Sequence, residues 1–202
     1  MKWILAGLMF LAACAVDPLV RVEQSASISF ELPNGSCTAT MLEGGYVLTA
    51  GHCATIDVAT AEGERAYLVW RNRYYDVAVY LAPTLVDAPH TTLACRPPRL
   101  GEKVIAIANM RDLEPGTITF GRIGHLASEH VLWKEILTLN IAGAPGSSGA
   151  PVFDTTGRVI AMIVGGVTPY SSIVFAVPSE VICALIEGNG VIKDEPPTDE
   201  IP

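Results

Sequence analysis

Cationic side chains are scarce in this sequence. The 13 Lys and Arg are outnumbered by 21 Asp and Glu, for a formal net charge of −8. Phosphate backbones need a basic face, so nucleic acid is excluded as a partner. Long apolar runs are also missing. Trp3–Leu11 is the apolar stretch at the N-terminus, and it is too short to cross a bilayer, which takes about 20 residues. No Cys-x-x-Cys pair occurs, so a zinc site is not expected, and neither is any other metal or cofactor. Apolar residues almost nowhere recur at helical spacing, which excludes an all-helical fold.

A chain of 202 residues, half of them hydrophobic, fits one domain or two small halves that share a site. Its first segment reads as a targeting signal. Lys2 is followed by the apolar run, and Leu11-Ala12-Ala13-Cys14 closes it. This looks like the lipobox of bacterial lipoproteins. That resemblance implies a leader over 1–13, cut before Cys14, with Cys14 carrying the lipid that holds the protein to a membrane and 14–24 as a tether. Ala13-Cys14-Ala15 also fits an ordinary secretory cleavage site, and a third reading keeps the run uncleaved as an anchor. Each of these readings exports the protein, to a bacterial-type envelope or to the exterior. An oxidising compartment makes disulfides the expected state of Cys37, Cys53, Cys95 and Cys183, for which three pairings exist. At the other end, 193–202 is rich in proline and carboxylates and is expected to be a disordered acidic tail.

Between these ends the pattern is short strands and turns. Strands are predicted over Ser27–Leu32, Cys37–Leu42, Tyr46–Thr49, Arg65–Arg71 and Asp76–Leu81. After a connector, 82–98, which carries four prolines, they resume over Lys103–Asn109, Thr117–Leu126, Val131–Asn140, Val152–Phe153, Arg158–Val164 and Ile173–Val177. Ser179–Glu187 alone reads as helix, with Pro178 before it, Ser179 as its cap and Gly188 at its end. The expected fold is therefore all-β: two six-stranded antiparallel barrels, about 25–81 and 99–177, followed by a short C-terminal helix at 179–187.

One stretch stands out within this frame. Gly143–Pro151 reads Gly-Ala-Pro-Gly-Ser-Ser-Gly-Ala-Pro and runs directly into a strand. Small residues let backbone come close to another group, and a serine held there suits a nucleophile; a plain surface loop has the same composition. A serine hydroxyl needs a base to take its proton, and the base needs an acid to orient it. His52 ends the apolar strand of Leu48-Thr49-Ala50-Gly51-His52-Cys53, and Asp76 enters another in Tyr75-Asp76-Val77-Ala78-Val79. Either residue could be a simple strand-end cap. An α/β-hydrolase is excluded, because that fold wants Gly-x-Ser-x-Gly and the order Ser, Asp, His.

Thr49–Cys53, Asp76–Val79 and Gly146–Pro151 together resemble the three signature segments of chymotrypsin-fold, trypsin-like serine proteases. The ending, Gly157-Arg158-Val159-Ile160 and then Phe175-Ala176-Val177-Pro178 before the helix, resembles the bacterial HtrA and glutamyl-endopeptidase branch. The resemblance covers about 25–187 and assigns the protease domain to 25–192. It implies His52 as general base, Asp76 as its orienter, Ser148 as nucleophile, and the N–H groups of Gly146 and Ser148 as oxyanion donors. The glycine spacing favours Ser148 over Ser147: Gly146 lies two residues before Ser148 and Gly149 just after. Many animal members carry an aspartate at the position of Ser147 that receives a new N-terminus on activation; a serine cannot, so no such switch is expected. The helix is followed by nothing of PDZ size, so a protease domain alone is expected.

The same resemblance implies a Cys37–Cys53 disulfide beside His52 and a Cys95–Cys183 disulfide from connector to helix, although Cys183 could equally be a buried thiol. By alignment the substrate pocket has Ala142 at its base and Val164, Gly165, Gly166 and Ser172 along its walls. None is charged, so a small or aliphatic residue before the cut is expected. The function implied is a serine endopeptidase acting on protein or peptide; the sequence does not fix its oligomeric state, and a monomer is expected. The other reading is a catalytically silent lipoprotein that uses the fold as a surface interaction module; covalent labelling by a fluorophosphonate separates the two.

Overall fold

The computed structural model describes residues 26–111, 113–126, 135–167 and 170–188. The expected leader 1–13, Cys14 with its lipid, the tether up to residue 24 and the tail 193–202 lie outside the described residues. Six strands form the first half: β1 (Ser27–Leu32), β2 (Gly35–Met41), β3 (Tyr46–Ala50), β4 (Val58–Ala61), β5 (Glu64–Asn72) and β6 (Val77–Leu81). They close into a barrel in the order β1-β2-β3-β6-β5-β4, with Phe30 of β1 opposite Ala61 of β4 at the closure. Six more form the second: β7 (Lys103–Ala108), β8 (Thr117–Leu126), β9 (Leu137–Asn140), β10 (Pro151–Phe153), β11 (Val159–Val167) and β12 (Tyr170–Pro178). Their order is β7-β8-β9-β12-β11-β10, closed by β10 against β7. All pairings are antiparallel, and α1 (Ser179–Gly188) follows. The two-barrel, all-β architecture is the one expected from the strand and turn pattern.

Three elements differ from the expectation. β4 is not predicted, because Val-Ala-Thr-Ala carries little bulk to mark it as a strand. Its turn makes it one: Glu62 and Gly63 sit at φ 47° and 80°, the left-handed pair that a tight two-residue hairpin needs. The strand expected over Val131–Asn140 begins only at Leu137 within the described residues, and Glu135 before it has φ 52°. Ser179 opens the helix as expected, yet its buried hydroxyl makes no hydrogen bond and caps nothing.

The core divides along the same lines. Phe30, Met41, Leu48, Trp70 and Tyr80 fill the first barrel, and Met162, Val164, Val177 and Ile182 continue that cluster across to the second half and the helix. Ile123, Leu139, Ile141, Val152 and Ile163 fill the second. Phe30 and Tyr80 meet edge to face at 5.0 Å, the geometry favoured by ring quadrupoles. Burial pushes the Tyr80 hydroxyl up to about 12, and it donates to the Ile56 carbonyl at 2.7 Å.

The connector ties the halves together. Leu42 bridges to Thr91 and Leu93 to Val159. Arg96 pairs with Glu102 and, at 2.8 Å, with Asp154, a carboxylate 2 % exposed at its side chain. The Cys95–Cys183 disulfide joins the connector to α1.

Candidate active site

His52 and Asp76 are brought together by strand register. Ala50 at the end of β3 pairs with Val77 at the start of β6, so the residues just beyond each strand meet at one barrel end. The approach is tight. A Cβ on Gly51 would sit 3.0 Å from the Asp76 carbonyl carbon and 3.1 Å from the Asn72 main-chain oxygen, so a side chain before His52 would have to push this backbone aside by a few tenths of an ångström. Asn72 shapes the other side: its Oδ1 accepts from the N–H groups of Tyr74 at 2.9 Å and Tyr75 at 3.1 Å, a side-chain-closed turn that delivers Asp76. Asp76 itself has φ 55°, a left-handed conformation uncommon outside glycine and tolerated best by Asn and Asp.

The carboxylate then holds the histidine at two points. Asp76 Oδ1 accepts from the His52 main-chain N–H at 2.6 Å, and Oδ2 from Nδ1 at 2.8 Å. Asp76 is 3 % exposed, whereas the His52 side chain is 48 % exposed. With Nδ1 directed at the carboxylate, Nε2 is the ring nitrogen left to accept a proton from an outside group.

The serine loop belongs to the other barrel but is fastened to this one. Thr38 N–H donates to the Ser148 carbonyl at 2.9 Å. Thr38 Oγ1 donates to the Gly146 carbonyl and accepts from Asn109 N–H, each at 2.8 Å. Thr40 Oγ1 reaches the Gly149 carbonyl at 3.3 Å, and Thr49 Oγ1 donates to the Thr38 carbonyl at 2.8 Å. The chain of contacts thus runs from the serine loop through Thr38 to Thr49, three residues before His52. Gly149 has φ 87°, and a Cβ there would overlap the Thr38 carbonyl oxygen and the Thr49 hydroxyl. That close approach is what the glycine after Ser148 permits. The threonines were not singled out in the sequence; the alternation Cys37-Thr38-Ala39-Thr40-Met41 is the signal that could have found them. It is a strand buried on both faces, with polar groups on the side that meets the second barrel.

Within the loop, Ser147 N–H donates to the Ala144 carbonyl at 3.0 Å and Gly149 N–H to Ile163 at 2.7 Å. Among the described residues, the N–H groups of Gly146 and Ser148 donate to nothing in the chain. Ser147 is buried, 6 % exposed, whereas Ser148 is partly exposed.

The Cys37–Cys53 disulfide lies against the same site. Both sulfurs and a ring nitrogen of His52 fall within 4.8 Å of one another. The sulfurs are bonded to each other, so this cluster is a brace for the histidine loop and not a set of metal ligands.

Residues expected at the substrate pocket fall along one side of the second barrel. Gly165 and Gly166 pair with Phe175 and Val174, and Gly143, next to Ala142, abuts Val174 so closely that a Cβ would overlap it. Ala142, Gly166 and Ser172 are exposed. Val164 turns its side chain into the core and is 1 % exposed. The cavity beside the His52–Asp76 pair lies elsewhere: about 280 Å³, lined by Gly51, His52, Thr55, Arg71, Arg73 and Asp76. The sequence alone does not point to Thr55 or to the two arginines as site residues.

Residues 35–162 match the model of the trypsin-like peptidase domain family. Solved structures share the fold. A serine-to-alanine mutant of Rv3671c from M. tuberculosis H37Rv, in its inactive form, superposes with a TM-score of 0.73 at 18 % identity, covering 92 % of this chain and 93 % of that one. The HtrA-type protease AlgW with a tripeptide gives 0.73 at 24 %, covering 86 % of this chain and 64 % of that one. The serine endoprotease from Yersinia pestis gives 0.71 at 22 %, covering 84 % and 64 %. This chain therefore spans less than two thirds of either of the last two. No curated protein matches the sequence.

Proposed function

The chain belongs to the trypsin-like peptidase domain family and is a serine endopeptidase; from that premise we propose that His52, Asp76 and Ser148 are its catalytic triad. Ser148 Oγ attacks the peptide carbonyl carbon while its proton passes to His52 Nε2. The negative charge that develops on the carbonyl oxygen faces the N–H groups of Gly146 and Ser148. His52 then gives the proton to the leaving amine, and water hydrolyses the resulting acyl-enzyme by the same route in reverse. The observation that carries this reading is the two-point attachment of His52 to buried Asp76. It fixes the ring with Nε2 outward and provides a carboxylate to stabilise the imidazolium. The amides of Gly146 and Ser148, which donate to nothing among the described residues, support the oxyanion role.

A small or aliphatic residue before the cut is the proposed preference. Ala142, Gly165, Gly166 and Ser172 offer neither charge nor bulk at the pocket. Cleavage of a mixed peptide library, read by mass spectrometry, tests both claims. Cuts after Ala, Val or Leu that vanish in Ser148→Ala are expected; cuts after Lys, Arg or Glu would refute the preference.

The substrate is protein or peptide, as peptides occupy the related AlgW complexes. The two disulfides are compatible with export. Among the described residues no helix is long and apolar enough to cross a membrane. Attachment through a lipid on Cys14 is our proposal for how the protein is held at the envelope, supported by the Leu-Ala-Ala-Cys sequence at 11–14.

A further inference from the structure

Two arginines line the cavity next to His52, in a protein whose net charge is −8. Arg71 and Arg73 line it together with Gly51, Thr55 and the His52–Asp76 pair. Arg71 donates one guanidinium N–H to the Ala54 carbonyl, which anchors the group and leaves its other donors available. Among the described residues neither arginine forms an ion pair. The carboxylates nearby are accounted for. Asp76 is held by His52. Asp57, whose charge opposes that of Arg71 at the Tyr80 hydroxyl, makes no ion pair with Arg71 or Arg73 among the described residues. Two arginines thus line an open space of about 280 Å³, below the about 300–1,000 Å³ typical of small-molecule sites and suited to one side chain.

A peptide lying extended across Ser148 alternates its side chains. If the residue before the cut enters the pocket near Ala142 and Gly166, its predecessor points the opposite way, toward His52. We propose that this cavity is a subsite for an acidic side chain, aspartate or glutamate, at the second position before the cut, with Arg71 and Arg73 as its specificity-determining residues. The inference rests on the triad reading above and adds to it a substrate class: peptides with a carboxylate two residues before the cleaved bond. A planar guanidinium suits this role, since its fork of donors matches a carboxylate.

The test uses peptidyl diphenyl phosphonates that carry at the first position the residue found by library cleavage, with Asp, Ala or Lys at the second. The rate of covalent labelling is followed by intact-protein mass spectrometry, with a general fluorophosphonate alongside. Asp should label about fivefold faster than Ala, the size of a partly exposed ion pair, and Lys more slowly than Ala. Added salt should compress the ratio. Arg73→Glu should reverse the Asp-to-Lys order, and Arg73→Lys should keep its direction. Equal rates for the three probes, with the fluorophosphonate still reacting, would overturn the subsite and leave the protease reading standing. An Asp preference that persists unchanged in Arg73→Glu and in Arg71→Glu would assign it to other residues and overturn the proposal as well. Failure of every probe, fluorophosphonate included, would overturn both.

Discussion

The main-chain N–H of Thr38, in the first barrel, donates to the carbonyl of Ser148, in the second, at 2.9 Å. The same threonine's hydroxyl bridges the Gly146 carbonyl and the Asn109 N–H. The proposed nucleophile and the proposed base come from different barrels, so whatever sets their relative position must cross the interface. Thr38 does so with three hydrogen bonds.

Thr38→Val keeps the shape and removes the hydroxyl. It strands a carbonyl and an N–H in a part-buried interface, which costs about 1–3 kcal/mol. Urea unfolding should show that loss, and peptide hydrolysis should fall with it, because a catalytic group displaced by about 1 Å can cost on the order of a hundredfold in rate. Thr40→Val, which removes a bond of 3.3 Å, should cost less. If Thr38→Val matched the wild type in both assays, the loop would be shown to hold itself without the first barrel.

Acid should weaken the junction at Arg96. Burial alone would raise the Asp154 pKa, but hydrogen bonds from the Thr156 side chain and backbone and from Arg96 outweigh it, and the carboxyl sits below its ordinary range. Glu102 is likewise lowered, mainly by its hydrogen bond from Arg96. A carboxylate with a depressed native pKa stabilises the fold above its unfolded value, about 3.9 for Asp and 4.3 for Glu, and that stability is lost as pH falls through the native value. The melting temperature should therefore drop steeply below about pH 4. Asp154→Asn should melt lower at neutral pH and lose part of that acid slope. An unaltered slope in the variant would remove Asp154 from the account.

How much of this was legible in the sequence depends on range. Each of the segments around His52, Asp76 and Ser148 is short and marked by its own glycines or strand edge, so each reads locally. Most of the barrel strands read from apolar runs broken by turn residues. β4 did not, because its identity lies in the Glu62-Gly63 turn and not in Val-Ala-Thr-Ala. The threonine bridge was hidden for another reason. Nothing local tells Thr38 that its partners are Gly146 and Ser148; that follows only from two closed barrels packed at one register. Arg71 and Arg73 escaped in the same way, since the end of a strand and the residues after it carry no sign of the histidine that folds beside them.

The Cys37–Cys53 disulfide closes a separation of 16 residues, a loop for which chain entropy suggests about 3 kcal/mol, by a mechanism that is disputed. With both sulfurs close to the His52 ring, Cys37→Ser should lower hydrolysis rate as well as melting temperature. Cys183→Ser, which frees the connector from α1, should lower melting temperature and largely spare the rate. Equal effects on rate from the two variants would contradict the bracing role at His52.

The central claim is that Ser148 is the nucleophile. Incubation with a fluorophosphonate, followed by proteolysis and tandem mass spectrometry, reads the modified residue directly. The account predicts a single adduct on Ser148, absent from Ser148→Ala, retained in Ser147→Ala, and sharply slowed in His52→Ala. An adduct on Ser147, or a folded wild-type protein that forms none, would contradict it.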